Sequence, residues 1–186
     1  MDAFSYLSVL LSIILGLAIA QVLQGYRAIL LARGRVRLSA PVLIWSGLIL
    51  LFAAQAWWAS FGLRQREHWD FLSFAVILLQ MVLLYMVAAV VLPDVDRSAT
   101  VDLVEHSDEH RRIFFGFLIA MLVASVTKDL ILDQKLPSAT NLAFHLLLLV
   151  ICLTGIVGKS GRLQLVLALG AFGGFLAYIS LLFAHL

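Results

Sequence analysis

Charge is what this chain has least of. Of its 186 residues, 13% are Asp, Glu, Lys or Arg, against roughly a quarter in an ordinary soluble domain. With 13 basic and 11 acidic side chains, a soluble fold of this size has too little polar surface to face water. That scarcity excludes a secreted globular enzyme, a disordered tail, a coiled coil and a nucleic-acid module. The net charge of +2 gives no basic field for nucleic acid. Cysteine is nearly absent: Cys152 stands alone, which excludes a disulfide framework and a cysteine metal cluster. As a small apolar residue among Leu and Ile, it reads as packing. Alternation every second residue is also missing from runs such as 146–151, which argues against a membrane barrel. No Gly-rich phosphate loop, nucleophile elbow or Ser/His/Asp arrangement is legible.

What is present is hydrophobic sequence, 63% of the chain, in long runs between charges. The charge-free windows are 24 residues after Asp2, 26 after Arg37, 23 after Asp70, 23 after Lys135 and 24 after Arg162. A helix rising about 1.5 Å per residue crosses a ~30 Å hydrocarbon core in about 20 residues. Each window is therefore one span. The stretch after Arg112 is interrupted by Lys128 after 15 residues, and completes a span only when counted on through Asp129 to Leu132. The expectation is an all-α polytopic membrane protein with six transmembrane helices, at about 3–28, 39–63, 70–92, 112–133, 139–158 and 162–185. They form one transmembrane domain over 1–186, with a short amphipathic cytoplasmic surface helix between the third and fourth spans. Three spans followed by three raise the idea of an inverted repeat, but the halves share no visible residue pattern.

The first span resembles a signal peptide at Ala18-Ile19-Ala20. The start Met1-Asp2-Ala3-Phe4-Ser5 lacks a basic n-region, so the span is expected to be retained. With the N-terminus outside, the inner side holds nine basic residues, from Arg27 to Arg162, and the outer side four, Arg64, Arg66, Lys128 and Lys135. That bias places both termini in the periplasm and the protein in the inner membrane. The cluster Arg33-Gly34-Arg35-Val36-Arg37 reads as a topology signal touching lipid headgroups. Trp45, Trp57, Trp58 and Trp69 suit aromatic belts at the two boundaries.

Small residues mark helix contacts. Ser8, Ser12, Gly16, Ala20 and Gln24 repeat at four-residue spacing in the first span, and Gly170 and Gly174 form a GxxxG pair in the sixth. Gly155 and Gly158 add a pair to the fifth. Such faces let helices approach closely, either within the bundle or between copies in a homo-oligomer.

Polar groups at membrane depth are the most informative feature. Gln80 lies near the middle of the third span and Gln55 about 5 Å from the centre of the second. Lys128 and Asp129 lie about 7–9 Å from the centre of the fourth, on the same side. His145 in the fifth span and Tyr178 in the sixth stand at similar levels, as does Ser12 in the first. Charged groups in a bilayer usually face protein or water. Ser125, Asp129 and Asp133 share a helix face, whereas Lys128 is rotated about 100° from Asp129 and need not pair with it. Together these residues make the machinery of a polar cavity for an ion or small polar solute, with His145 as a proton-exchanging group and Gln55 and Gln80 as carbonyl ligands. The plainer alternative is structural: Lys128 snorkels, Asp129 is balanced by Lys128 or Lys135, and His145 is satisfied by a backbone carbonyl or by Gln55. Gln21 and Gln24 offer an inner gate, a headgroup contact or a buried helix contact.

The loop from Pro93 to Arg112 begins with a turn over Asp94-Val95-Asp96-Arg97-Ser98. The surface helix follows, carrying His106 and His110 on one face with Asp102 or Glu109 near by. Two imidazoles and a carboxylate suit a divalent metal weakly. Ser107 after His106 disfavours a metalloprotease. Haem ligation by His68, His145 or His185 is the other cofactor reading, and only His145 lies properly inside a span. The leading function is a small channel or transporter for an ion or polar solute, partnered by the lipid bilayer. The runner-up is a non-transporting sensor, assembly factor or partner subunit whose cytoplasmic loop carries the interaction. A membrane-embedded enzyme ranks third.

Overall fold

The structure, a computed structural model, describes residues 3–66, 69–94 and 100–182. The turn expected over 95–98, His68 and His185 lie outside the described residues. Helix α1 (Ala3–Leu31) leads into a two-residue strand β1 (Val36–Arg37), then α2 (Ala40–Ser60) and a 3-10 segment (Phe61–Gln65). Then come α3 (Phe71–Val91), strand β2 (Val101–Asp102), α4 (Leu103–Asp133), α5 (Ala139–Val157) and α6 (Gly161–Leu182). All six α-helices are long and apolar enough to cross a membrane.

The starts of these helices are written locally. Pro41 sits in the first turn of α2, where its missing N–H costs nothing. Asp70 accepts from Ser73 N at 2.7 Å to start α3. Ser138 accepts from Asn141 N at 3.2 Å to start α5. Asp102 accepts from Val104 N at 2.8 Å and Glu105 N at 3.4 Å to start α4. Each cap answers a backbone donor that the helix itself cannot satisfy. Gln134 ends α4 with a left-handed φ of 51°, held by its Nε2 donating to the Ile131 carbonyl at 3.1 Å.

The separate surface helix is not found. Residues 103–112 are the first turns of the 31-residue α4. No Gly or Pro falls between Asp102 and Gly116, so a helix capped at Asp102 has no reason to break before the span. Leu103 is fully buried rather than lying on a membrane face.

Packing closes five helices into a ring in the order α2, α3, α4, α5, α6 and back to α2, and α1 lies outside it against α2 and α3. The stripe by which α1 docks is Leu7, Leu11, Leu15, Ala18 and Val22, each at most 2% exposed. The small-residue stripe points elsewhere: Ser12, Gly16 and Gln24 are exposed, and nothing lies within 4 Å of a Cβ built on Gly16. Large apolar side chains at a 4-4-3-4 spacing bury more surface than Ser and Gly do, so they win the interface. On α6 the GxxxG pair does face a neighbour, since Gly174 approaches Leu147 and Gly170 approaches Ile151 of α5. Gly155 admits Phe115 of α4. Trp45 is a core residue, 4% exposed, with Phe114 and Phe115 edge-on at 5.5 Å each. Its expected place in an aromatic belt is thus corrected, because α2 turns it into the ring.

Two connections are tied together beyond the helix ends. Strands β1 and β2 pair in parallel, Val36 with Val101 and Arg37 with Asp102. Val101 N donates to Arg35 O at 3.0 Å. Arg37 Nη1 meets Asp102 Oδ2 at 3.0 Å, so part of the basic cluster serves the fold. The Val104 N–H, helped by Arg37, holds the Asp102 carboxyl below the ordinary value of 3.8. A lowered carboxylate pKa stabilises the fold above that ordinary value and loses its effect as pH falls through the lowered one.

Two substitutions test the ring's close approaches. A Cβ on Gly155 would stand 2.5 Å from Phe115 Cζ, whereas on Gly170 the nearest atom, Ile151 Cδ1, is 3.9 Å away. Phe115 is itself clamped by Trp45 and Phe114. Gly155→Ala should therefore cost about 1–3 kcal/mol by overpacking, and Gly170→Ala should be close to neutral. Thermal unfolding in detergent reads the difference.

Candidate functional site

The five-helix ring encloses two chambers that share a wall. The one nearer the 3-10 segment has a volume of about 130 Å³ and the next about 80 Å³. A water molecule needs about 10–15 Å³ on this measure, so both have room for several. Gln55 of α2, Gln80 of α3, Ser125 of α4 and Tyr178 of α6 line both chambers. Lys128, Asp129 and Asn141 line the first, and His145 lines the second. Six of the side chains grouped by depth, Gln55, Gln80, Lys128, Asp129, His145 and Tyr178, thus line these two chambers together with Ser125. Ser12 does not join them: it is exposed and accepts from Trp57 Nε1 at 3.3 Å.

Hydrogen bonding fixes the proton positions around His145. Its Nδ1 lies 2.9 Å from the Asn141 carbonyl, which only accepts, so Nδ1 carries a hydrogen. In the neutral imidazole Nε2 is then the acceptor, and it takes the Ser125 hydroxyl proton over 3.1 Å. His145 is therefore met by a backbone carbonyl and by Ser125, not by Gln55. Two other polar atoms of the wall are left open: Gln80 Oε1 and Asn141 Oδ1 are buried with no hydrogen-bond partner among the described residues.

Lys128 and Asp129 do pair, with Nζ 3.5 Å from Oδ1. The expected 100° separation is spanned by the long, flexible lysine stem. At 3.5 Å the contact exceeds the usual 2.7–3.2 Å range for an N–H···O bond and is a loose ion pair. Each side chain is 24% exposed. Asp133, one turn further along α4, instead meets Arg66 beside the 3-10 segment. Opposite these groups stands an aromatic cluster. Phe52 meets Phe175 edge-on at 4.5 Å, Phe175 stacks on Tyr178 at 5.8 Å and Phe144 meets Tyr178 at 5.3 Å.

Away from the 3-10 segment lies an apolar void of about 10 Å³, with a collar of side chains from α2, α4 and α5 around it. Phe52, Met121, Leu122 and Leu148 belong both to the second chamber and to the collar, and Trp45, Leu118 and Cys152 complete the collar. Beyond it a chamber of about 30 Å³ is walled by Trp45, His106, His110 and Arg111, among others.

His106 and His110 each meet a backbone carbonyl through one ring nitrogen. His106 Nε2 donates to the Val90 carbonyl of α3 at 3.0 Å, and His110 Nδ1 donates to the His106 carbonyl at 3.0 Å. Their rings stack at 4.4 Å, which sets their in-plane nitrogens side by side rather than converging. Among the described residues no group of three His, Cys, Asp or Glu is arranged to hold a metal ion. His145, with both nitrogens engaged, is not placed as a haem ligand either. Gln24 faces outward, so no inner gate forms there. The polar contact nearby is between Tyr26 and Ser46 at 2.8 Å. Ser46 gives its own proton to the Leu43 carbonyl at 3.0 Å, so Tyr26 is the donor.

Asn141 is the cavity residue that sequence reasoning passed over. Its signal was available, because it stands four residues before His145 and so shares that helix face. The collar had no such signal, since Phe52, Leu118 and Leu122 look like any other core residues.

Removing a hydroxyl separates wet from dry surroundings. Ser125→Ala leaves His145 Nε2 beside the cavity, where water can replace the donor, and should cost under about 1 kcal/mol. Ser46→Ala strands the Tyr26 hydroxyl at a site where Ser46 is 0% exposed, and should cost about 1–3 kcal/mol. Paired thermal melts measure both. Against known protein families, curated proteins and solved structures, the chain shows no significant match.

Proposed function

We propose that the chain is a multi-pass inner-membrane protein that moves an ion or small polar solute through the ring of α2 to α6. Both termini and the 3-10 segment face the periplasm in this reading, as the distribution of basic residues favours. The solute enters beside Lys128 and Asp129, rests against Gln55, Gln80, Ser125 and Asn141, and is stopped at the collar of Trp45, Phe52, Leu118 and Leu122. A constriction of this kind opposes ions because no group in it replaces their water.

The observation that carries this reading is the run of chambers along the bundle. Each shares lining residues with the next, from Asp129 at one end to His106 and Arg111 at the other. A bundle held together by packing alone has no need of amide side chains with unpartnered oxygens in the walls of two water-sized chambers.

A second reading, a ligand-responsive sensor, assembly factor or partner subunit, is favoured by the narrowness of the collar. In that case the cavity is a one-sided binding pocket, and the α3–α4 connection passes on its state.

Cys152 gives the test, as the only cysteine in the chain and a member of the collar at 1% exposure. A small thiol reagent should modify it slowly in the wild type in proteoliposomes. Leu122→Ala should open the collar and speed modification by on the order of tenfold, with a parallel rise in solute flux. Asp129→Asn should lower flux. Faster labelling with no flux in any variant would sink the transport reading and favour the sensor.

A further inference from the structure

Two acceptors in the cavity wall, Gln80 Oε1 and Asn141 Oδ1, are buried and have no partner among the described residues. Where Ser125 donates to His145 Nε2, its oxygen offers only lone pairs to a ligand. Asp129 adds a carboxylate. The cationic group on this wall is Lys128, already beside Asp129. A ligand that engages these acceptors brings its own N–H or O–H groups, and positive charge answers the carboxylate. The remaining wall of the second chamber mixes Phe52, Phe144, Phe175, Met81 and Met121 with leucines such as Leu84 and Leu148. Such a surface suits an alkylated ammonium through ring faces. It suits a hard metal cation poorly, because that requires an oxygen shell.

We propose that the cavity binds a small organic ammonium ion, and that Lys128 is its tethered competitor. Resting on the reading of this cavity as the solute site, the proposal identifies the solute's chemical class. With no ligand, the Lys128 ammonium neutralises Asp129 at 3.5 Å, too far for a strong hydrogen bond. An incoming ammonium takes that carboxylate, and the Gln80 and Asn141 amides turn to bring their buried oxygens to it. Lys128, with a quarter of its side chain already exposed, then swings on its stem toward the 3-10 end, where water or headgroups receive it. The charge of the site is the same in both states, so the exchange leaves no uncompensated charge in the bundle.

The competitor makes the test directional. Full-length protein in nanodiscs is titrated with methylammonium chloride, sodium chloride and sodium acetate, with thermal stability and calorimetry as readouts. Methylammonium should bind and stabilise the wild type more than either sodium salt. Lys128→Gln should bind it more tightly, on the order of tenfold, because the internal rival is gone. Asp129→Asn should lose binding, and Gln80→Leu and Asn141→Leu should each weaken it. Unliganded melts establish that every variant is folded, and Lys128→Met replaces Lys128→Gln if the latter is not. Weaker or unchanged binding in the folded Lys128 variant would overturn the proposal. So would equal stabilisation by sodium chloride, which marks a metal-cation site, or by acetate. Binding without flux in proteoliposomes keeps the ammonium site and removes transport. Flux with no methylammonium binding removes the ammonium site alone.

Discussion

Inside an apolar helix bundle every polar atom has to be met by protein or by water, and this accounting organises the molecule. Most of it is closed locally. Ser8 returns its proton to the Ser5 carbonyl, and Gln164 spends its amide on the Gly155 and Gly158 carbonyls that end α5. Tyr26 and Ser46 settle each other between α1 and α2. The exceptions among the described residues are four buried atoms: Gln80 Oε1 and Asn141 Oδ1, on side chains lining the polar chambers, and Trp45 Nε1 and Arg111 Nε, on side chains lining the chamber beyond the collar. The unsatisfied part of the core therefore follows the run of chambers rather than one of them.

The aromatic residues divide the interior into wet and dry. Phe52 takes part in both, lining the polar chamber and closing the collar. Trp45 continues the dry layer with Phe114 and Phe115 edge-on to it, and Gly155 is the gap that lets Phe115 reach its place. Packing of this kind is sensitive to single methyl groups, whereas the chambers on the polar side leave room for a changed side chain.

Much of this was legible before any coordinates. Scarce charge and long apolar windows pointed to six helices long enough to cross a membrane, and six such helices are present, since length and hydropathy are local properties. The level of Gln55, Gln80, Lys128, Asp129 and His145 along their helices was also readable, because it follows from counting residues. Azimuth was not. Nothing in a count of residues said that α1 would dock through Leu7, Leu11 and Leu15 rather than Ser12 and Gly16, or that Trp45 would turn inward. The continuity of α4 through its charged first turns was missed for a different reason. Composition suggested an interfacial segment, but a helix with no breaker obeys its cap at Asp102. The short β1–β2 pair joins segments far apart in the chain and has no local signature at two residues.

That pair ends where α4 begins. Helix α4 is about 46 Å long at 1.5 Å per residue, and it carries both the Asp129 end of the cavity and two of the collar leucines. At one end Asp102 meets Arg37, at the other Asp133 meets Arg66. Each pair has one well-exposed partner, so the two contacts mark the register of α4 more than they hold it. What holds it is packing along its length against α3 and α5. Because one uninterrupted helix carries Leu118, Leu122 and Asp129, the dry layer and the charged end of the cavity share a single support.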